Sequence, residues 1–294
     1  MADTTAGTIY DLGYQRYEGV RLGRRHAIWA LYVHSLRGVF GIGRSLSSKV
    51  GPIGLAVIAL IPAVFQLGIA SIAPAEIEVI RPEEYYNIIE VVLVVFCAVV
   101  APDLVGRDQR TQTLSLYFSR ALRRQDYALA KYAALVTGML AITVIPQVMM
   151  FVGNGLAAND FGDYLKDKWT DLPSILGSAI LLSGLIAAIG LMIASQTPRR
   201  AYSTVGILAA FILTSVVGAS IFEAADQDVG RLVLLLSPGH IVQGFTFWFF
   251  GATFDPGTQL AEADFSGITY AIDAALVALV MLALLLRRYE KIST

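Results

Sequence analysis

Arg107, Arg110, Arg120, Arg123, Arg124 and Lys131 fall within residues 105–131, opposed there only by Asp108 and Asp126. Cations in such number make and break no bonds; they pair with carboxylates or phosphates through charge-assisted hydrogen bonds. The run is bounded on both sides by apolar stretches of about 20 residues, the length that crosses a hydrocarbon core. A basic segment in that setting has the sign of a cytoplasmic loop between two membrane spans.

Other chemistry is sparse. The chain has no G-x-x-x-x-G-K-[ST] loop to cradle a nucleotide phosphate. His26, His34 and His240 are scattered and form no H-E-x-x-H pattern, so no metal or acid–base site is expected on them. Ser237 lies in Ser-Pro-Gly-His rather than in the G-x-S-x-G setting of a nucleophile, and reads as a helix cap. Cys97 is the single cysteine, which excludes an intramolecular disulfide. Glu90 and Asp273 interrupt apolar runs near their outer ends. Each is open to two readings, solvation at the outer surface or contact with a substrate or ion. Gln66, Gln147 and Asn154 are uncharged and suit bonds between helices. No series of carboxylates crosses the apolar segments, which gives a proton- or sodium-driven carrier little support.

Composition defines the elements that must hold these residues. With 56% hydrophobic residues, 15% charged and a mean hydropathy of +0.63 over 294 residues, the chain is too apolar for a soluble domain. The fold class expected is an all-α membrane protein. Six segments are long and apolar enough to span, at about 50–73, 86–105, 127–152, 173–194, 202–222 and 268–286. With an even number of spans both termini share one side. If that side is the cytoplasm, 18 of the 22 Lys and Arg residues lie on it, and only Arg81, Lys166, Lys168 and Arg231 lie outside. No cleaved signal peptide is visible at the N-terminus. Residues 27–45 space Trp29, Tyr32, Leu36 and Val39 by threes and fours, the pattern of an N-terminal amphipathic helix lying in the interface. Residues 1–48 thus form a cytosolic N-terminal segment ahead of a transmembrane domain, 49–294. The tail before residue 27 is either a lipid-attracted basic tail or, through its interleaved aromatics, a docking surface.

Residues 232–251 are apolar but broken by Ser237, Pro238 and Gly239. They read as an outer re-entrant helical hairpin between spans five and six, with a kinked seventh span as the alternative. Phe245, Phe247, Trp248, Phe249 and Phe250 either close the outer end of a substrate path or form an interfacial aromatic belt. Small residues form two ridges, Ala179, Ser183, Ala187 and Gly190 on the fourth span and Gly206, Ala210, Thr214 and Gly218 on the fifth. Either ridge serves close helix packing within one chain or across a dimer.

The basic loop also carries a resemblance. Gly106-Arg107-Asp108, then Thr113-Leu114-Ser115-Leu116-Tyr117-Phe118-Ser119-Arg120, then Arg123 or Arg124, Leu129 and Lys131, resemble the loop of ABC-2 type transporter permeases, where T-L-x-x-L-x-S-x-P is followed by an Arg and a G-K. Tyr117, Ala121 and Ala130 depart from that pattern. Gly13-Tyr14-Gln15-Arg16-Tyr17-Glu18-Gly19 resembles the opening of many bacterial permeases of this group.

The resemblance implies a six-span permease subunit of an ATP-driven exporter of a drug, lipid or other amphipathic molecule, in a bacterial or archaeal plasma membrane. It implies a second permease copy, as a homodimer or related subunit, and two copies of an ATPase partner holding ATP and Mg, with no cofactor on this chain and no nucleic acid partner. The coupling residues implied are Gly106, Arg107, Asp108, Arg110, Thr113, Ser119, Arg120, Arg123 and Arg124, assisted by Arg16, Tyr17, Glu18 and Arg37. A substrate path would involve Glu90, Asp273, Phe247 and Trp248. A non-transporting scaffold that docks an ATPase, and a membrane-embedded enzyme using Glu90 and Asp273, are the alternatives from other classes.

Overall fold

The computed structural model describes residues 19, 22–72, 80–119 and 122–291. Every regular element among them is helical. Helix α1 covers Gly23–Val39, α2 Leu46–Ala70 and α3 Pro82–Ala101. A π turn, Pro102–Gly106, leads from α3 into α4, Arg107–Arg110, and α5, Leu114–Phe118. Then follow α6 (Arg124–Ala157), α7 (Phe161–Lys168), α8 (Asp171–Ala194), α9 (Arg200–Ala224), α10 (Gln227–Leu234), α11 (Pro238–Phe250), α12 (Gln259–Ala263) and α13 (Gly267–Lys291).

Among the described residues six helical segments are long and apolar enough to cross a membrane: Ser48–Ala70, Pro82–Arg110, Arg124–Ala157, Asp171–Ala194, Arg200–Ala224 and Gly267–Lys291. They coincide with the six expected segments, but the second continues through the π turn to Arg110 and the third runs on to Ala157, both past their apolar windows. Hydropathy marks only what lipid must cover, whereas the i→i−4 hydrogen bonds continue wherever polar side chains tolerate a helix. Helices α8 and α3 are central, with 67% and 61% of their most apolar windows buried, against 17% in α2, α9 and α13. The outer faces of those three carry exposed apolar side chains such as Val57, Ile61, Ile212, Val216, Leu276 and Leu279, the surface that lipid or a second copy would cover.

The fourth-span ridge lies inside this bundle. Ala179, Ser183 and Ala187 are fully buried, and at Gly190 the backbones of α8 and α3 come so close that a Cβ would lie 2.1 Å from Cys97 Sγ. The fifth-span ridge is partly used within the chain: Gly206 faces Ile193, and Gly218 faces Ser237 and the Val233 carbonyl.

At the N-terminal end the helix expected at 27–45 is shifted. It starts at Gly23 and stops at Val39, because Gly41 (φ 66°) and Gly43 (φ 85°) turn the chain into α2. A Cβ at Gly41 would meet the Ser48 carbonyl oxygen at 2.8 Å, so glycine is required there. Helix α1 buries Leu31, Ser35 and Val39 and packs along α6, with Gly138 against Val39 and Tyr32 donating to Thr137 Oγ1 at 3.0 Å. Trp29 stays 62% exposed.

Asp228–Leu234 and Pro238–Phe250 are bent by 84° to one another. Ser237 occupies the N-cap position of α11, but its hydroxyl makes no capping bond. It bonds Ser215 Oγ at 3.3 Å and His240 Nδ1 at 2.8 Å instead. The cap read from the sequence is thus replaced by a bridge between α9 and the bend.

Candidate functional site

The basic loop is a folded end-piece. Because α3 continues through the π turn, Arg107 and Arg110 ride on its extension rather than on a flexible connector. Gly106 passes under the α8–α9 turn, where a Cβ would lie 3.7 and 3.8 Å from the Thr197 and Pro198 carbonyl oxygens. The chain then reverses at 111–113, with Gln112 in the left-handed region (φ 54°). Thr113 secures the reversal by donating its N–H (3.1 Å) and hydroxyl (3.3 Å) to the Asp108 carbonyl.

Three helices, α6, α8 and α13, grip this end-piece. Asp108 Oδ2 accepts from Tyr127 Oη at 2.7 Å and pairs with Lys131 Nζ at 2.9 Å. Both side chains of that ion pair are largely buried, with relative exposures of 5% for Lys131 and 15% for Asp108. Gln109 Nε2 donates to the Ser195 carbonyl at 3.1 Å and to Tyr289 Oη at 3.4 Å, joining α8 and α13. Tyr117, Phe118 and Tyr289 surround Tyr127 with ring centroids 5.6, 6.0 and 5.2 Å away. Arg124 lies over the Phe118 ring at 5.6 Å and donates to the Glu290 carbonyl at 2.7 Å. Tyr117, one of the departures from the permease pattern, is thus a packing residue of this aromatic cluster.

Helix α1 is tied to the same place. Arg24 binds Asp126 with two hydrogen bonds, Nε to Oδ2 at 2.7 Å and Nη2 to Oδ1 at 2.6 Å, and Asp126 also accepts the Arg123 N–H at 3.0 Å. The bonds to Asp126 raise the Arg24 pKa above its ordinary value, so this clamp keeps its charge throughout the physiological range. Asp126→Ala should free α1 from the end of α6. Limited proteolysis within 22–39 is then expected to accelerate several-fold, and an unchanged rate would show that the clamp does not hold α1.

The sequence-derived residues separate into two groups. Gly106, Asp108 and Thr113 build the end-piece, and Arg124 is half-buried against α13. Arg107, Arg110 and Arg123 are exposed and form no ion pair among the described residues. Around them Leu116 is 65% exposed, and the Ser119 hydroxyl turns back to the Leu116 carbonyl at 3.0 Å. Arg37 is exposed on α1. Arg16, Tyr17, Glu18 and Arg120 lie outside the described residues. Arg24, Gln109, Tyr127 and Tyr289 were missed by the sequence reading, since their partners are distant along the chain.

At the other end, Glu90 is directed at the N-terminus of α11. The position a Cβ would take at Gly239 is 3.5 and 3.9 Å from the Glu90 carboxylate oxygens and 3.3 Å from Ser215 Oγ. Helix α11 thus packs over Glu90, a closer enclosure than the outer-surface solvation considered for it. Asp273 Oδ2 is buried without a hydrogen-bond partner among the described residues. Phe247 is buried and stacks on Phe254 at 5.3 Å, whereas Trp248 is 42% exposed. His240 Nε2 meets Gln259 Oε1 at 3.0 Å, and Gln259 Nε2 donates to Glu223 at 3.3 Å. Together with Ser237 and Ser215 this makes a polar line that the sequence did not reveal. Among the described residues no three His, Cys, Asp or Glu side chains converge to hold a metal ion.

Residues 53–293 match the family described as "Protein of unknown function (DUF2705)". No curated protein matches the chain.

Proposed function

We propose that this chain, which belongs to the DUF2705 family, is the membrane-spanning subunit of an ATP-driven transporter and engages a separate ATPase through the 106–124 end-piece. The observation that carries this reading is the division of labour among the loop's cations. Lys131 and Arg124 hold the end-piece to the bundle, while Arg107, Arg110 and Arg123 remain exposed and unpaired among the described residues. A rigid basic surface fixed to α3, α6, α8 and α13 is suited to receive an acidic partner and to pass its movement to the spans. Closure of that partner on ATP biases the whole bundle only if the contact is stiff.

In this reading the end-piece, α1 and both termini face the cytoplasm, with α1 at the membrane interface, and the bent pair α10–α11 is a re-entrant hairpin entering from outside. ATP and Mg are held by two ATPase copies. The exposed apolar face of α9 offers a contact for a second permease copy. The membrane is a plasma membrane, and the cargo an amphipathic molecule moving outward.

Arg110→Glu combined with Arg123→Glu should leave the protein inserted and folded but weaken association with the partner ATPase by at least about tenfold, because facing like charges cost several kcal/mol. Transport and ATPase binding at wild-type levels would sink the assignment. Topology has its own test, made simple by a single buried cysteine. Cysteines placed at Asp226 and Thr253, on either flank of the bent pair, should both react with an impermeant maleimide from outside. Labelling of only one from that side would make the pair a seventh span.

A further inference from the structure

Between α1 and the end-piece lies a cleft of about 890 Å³. Arg37 of α1 lines one wall and Arg107 of α4 another, with Arg44 from the α1–α2 turn and Lys131 from α6 between them. The two acids lining the cleft are already engaged. Asp108 holds Lys131 at 2.9 Å, and Asp103 lies 3.5 Å from Arg44 and 3.8 Å from Arg200. Arg37 and Arg107 have no ion pair among the described residues, so the cleft carries two uncompensated guanidinium groups. Phosphate oxygens fit such groups well, because each planar fork donates two parallel hydrogen bonds.

The cleft is continuous with apolar surface. Ile42 lines it, and from there Leu46, Val50, Ile53 and Val57 follow along α2 at helical spacing, 80%, 70%, 45% and 56% exposed. A cationic cleft that opens onto an uncovered apolar stripe has the polarity of an amphiphile, head and tail in sequence. An acidic protein segment or a soluble anion would leave the stripe bare.

From this arrangement we infer that the cleft seats the phosphate of an anionic membrane lipid, with its acyl chains along Leu46, Val50, Ile53 and Val57. Such a lipid bridges Arg37 and Arg107, and so links α1 to the end-piece. The site requires only that the chain is embedded in a membrane and does not depend on the ATPase reading, so it is tested without that partner.

The full-length protein in neutral detergent is exposed to phosphatidylglycerol or to phosphatidylcholine of the same acyl chains, and bound lipid is counted by native mass spectrometry. Phosphatidylglycerol should be retained at least about tenfold better. Arg37→Ala with Arg107→Ala should reduce its retention about tenfold, since each cation near the headgroup contributes a several-fold factor. Arg37→Lys with Arg107→Lys should keep most of it, and removing the exposed cations Arg25 and Arg287, which do not line the cleft, should change little. The inference is overturned by equal retention of the two lipids, by an unaltered double alanine variant, or by an equal loss on removing Arg25 and Arg287. Displacement of the lipid by millimolar inorganic phosphate would overturn it as well, making the cleft a site for a soluble anion.

Discussion

Lys131→Met is expected to destabilise the protein by about 3–5 kcal/mol, the cost of leaving one member of a buried ion pair uncompensated. Its ammonium, 2.9 Å from Asp108 Oδ2, is the only cation that pairs with that carboxylate among the described residues, and both side chains are shielded from water. Tyr127 Oη also donates to Asp108, but a neutral hydroxyl does not cancel the charge. The loss should be visible as a lowered unfolding midpoint in detergent. Asp108→Asn with Lys131→Met should recover more than half of it, since removing both charges together avoids the unpaired state. A single variant within about 0.5 kcal/mol of wild type, the range of an ordinary surface substitution, would refute this account of how the end-piece is held.

Gly190→Ala should have an effect of comparable size for a different reason. The added methyl would lie 2.1 Å from Cys97 Sγ but 3.7 Å from Cys97 Cβ. Both residues sit in the buried contact between α8 and α3, where overpacking costs about 1–3 kcal/mol or more. The protein should lose monodispersity on size exclusion and yield poorly. Cys97→Ala removes the offending sulfur and leaves an ordinary contact, so Cys97→Ala with Gly190→Ala should return to near wild-type behaviour. Failure of that rescue would mean that the close approach of these two helices is not what Gly190 secures.

Much of the architecture could be read from the chain because the bilayer imposes a length on every span. The six apolar stretches and the break at Ser237-Pro238-Gly239 are local signals, and each has a counterpart in the helices. The ridge Ala179, Ser183, Ala187 and Gly190 was legible as a packing surface, but its partner was not, since spacing alone does not say which helix fills it. The candidate site was legible in its charge and not in its connections. Arg24 with Asp126, Gln109 with Tyr289 and Asp108 with Lys131 are joined by the fold, and no periodicity relates such positions. Ser237 illustrates the opposite error: a residue with a familiar local role was drawn away by a neighbour, Ser215, that only the tertiary structure supplies.

The length of α6 has a mechanical consequence. Its 34 residues make a rod about 51 Å long at 1.5 Å per residue, whose base is bonded to Arg24, Asp108 and Glu290 and whose far end packs at Gly155 against Phe161 and Tyr164 of α7. Pivoting such a rod by about 10° at its base sweeps the opposite tip through about 9 Å, several times the displacement at the end-piece. A helix of this length would turn a small tilt at one membrane face into a larger displacement at the other.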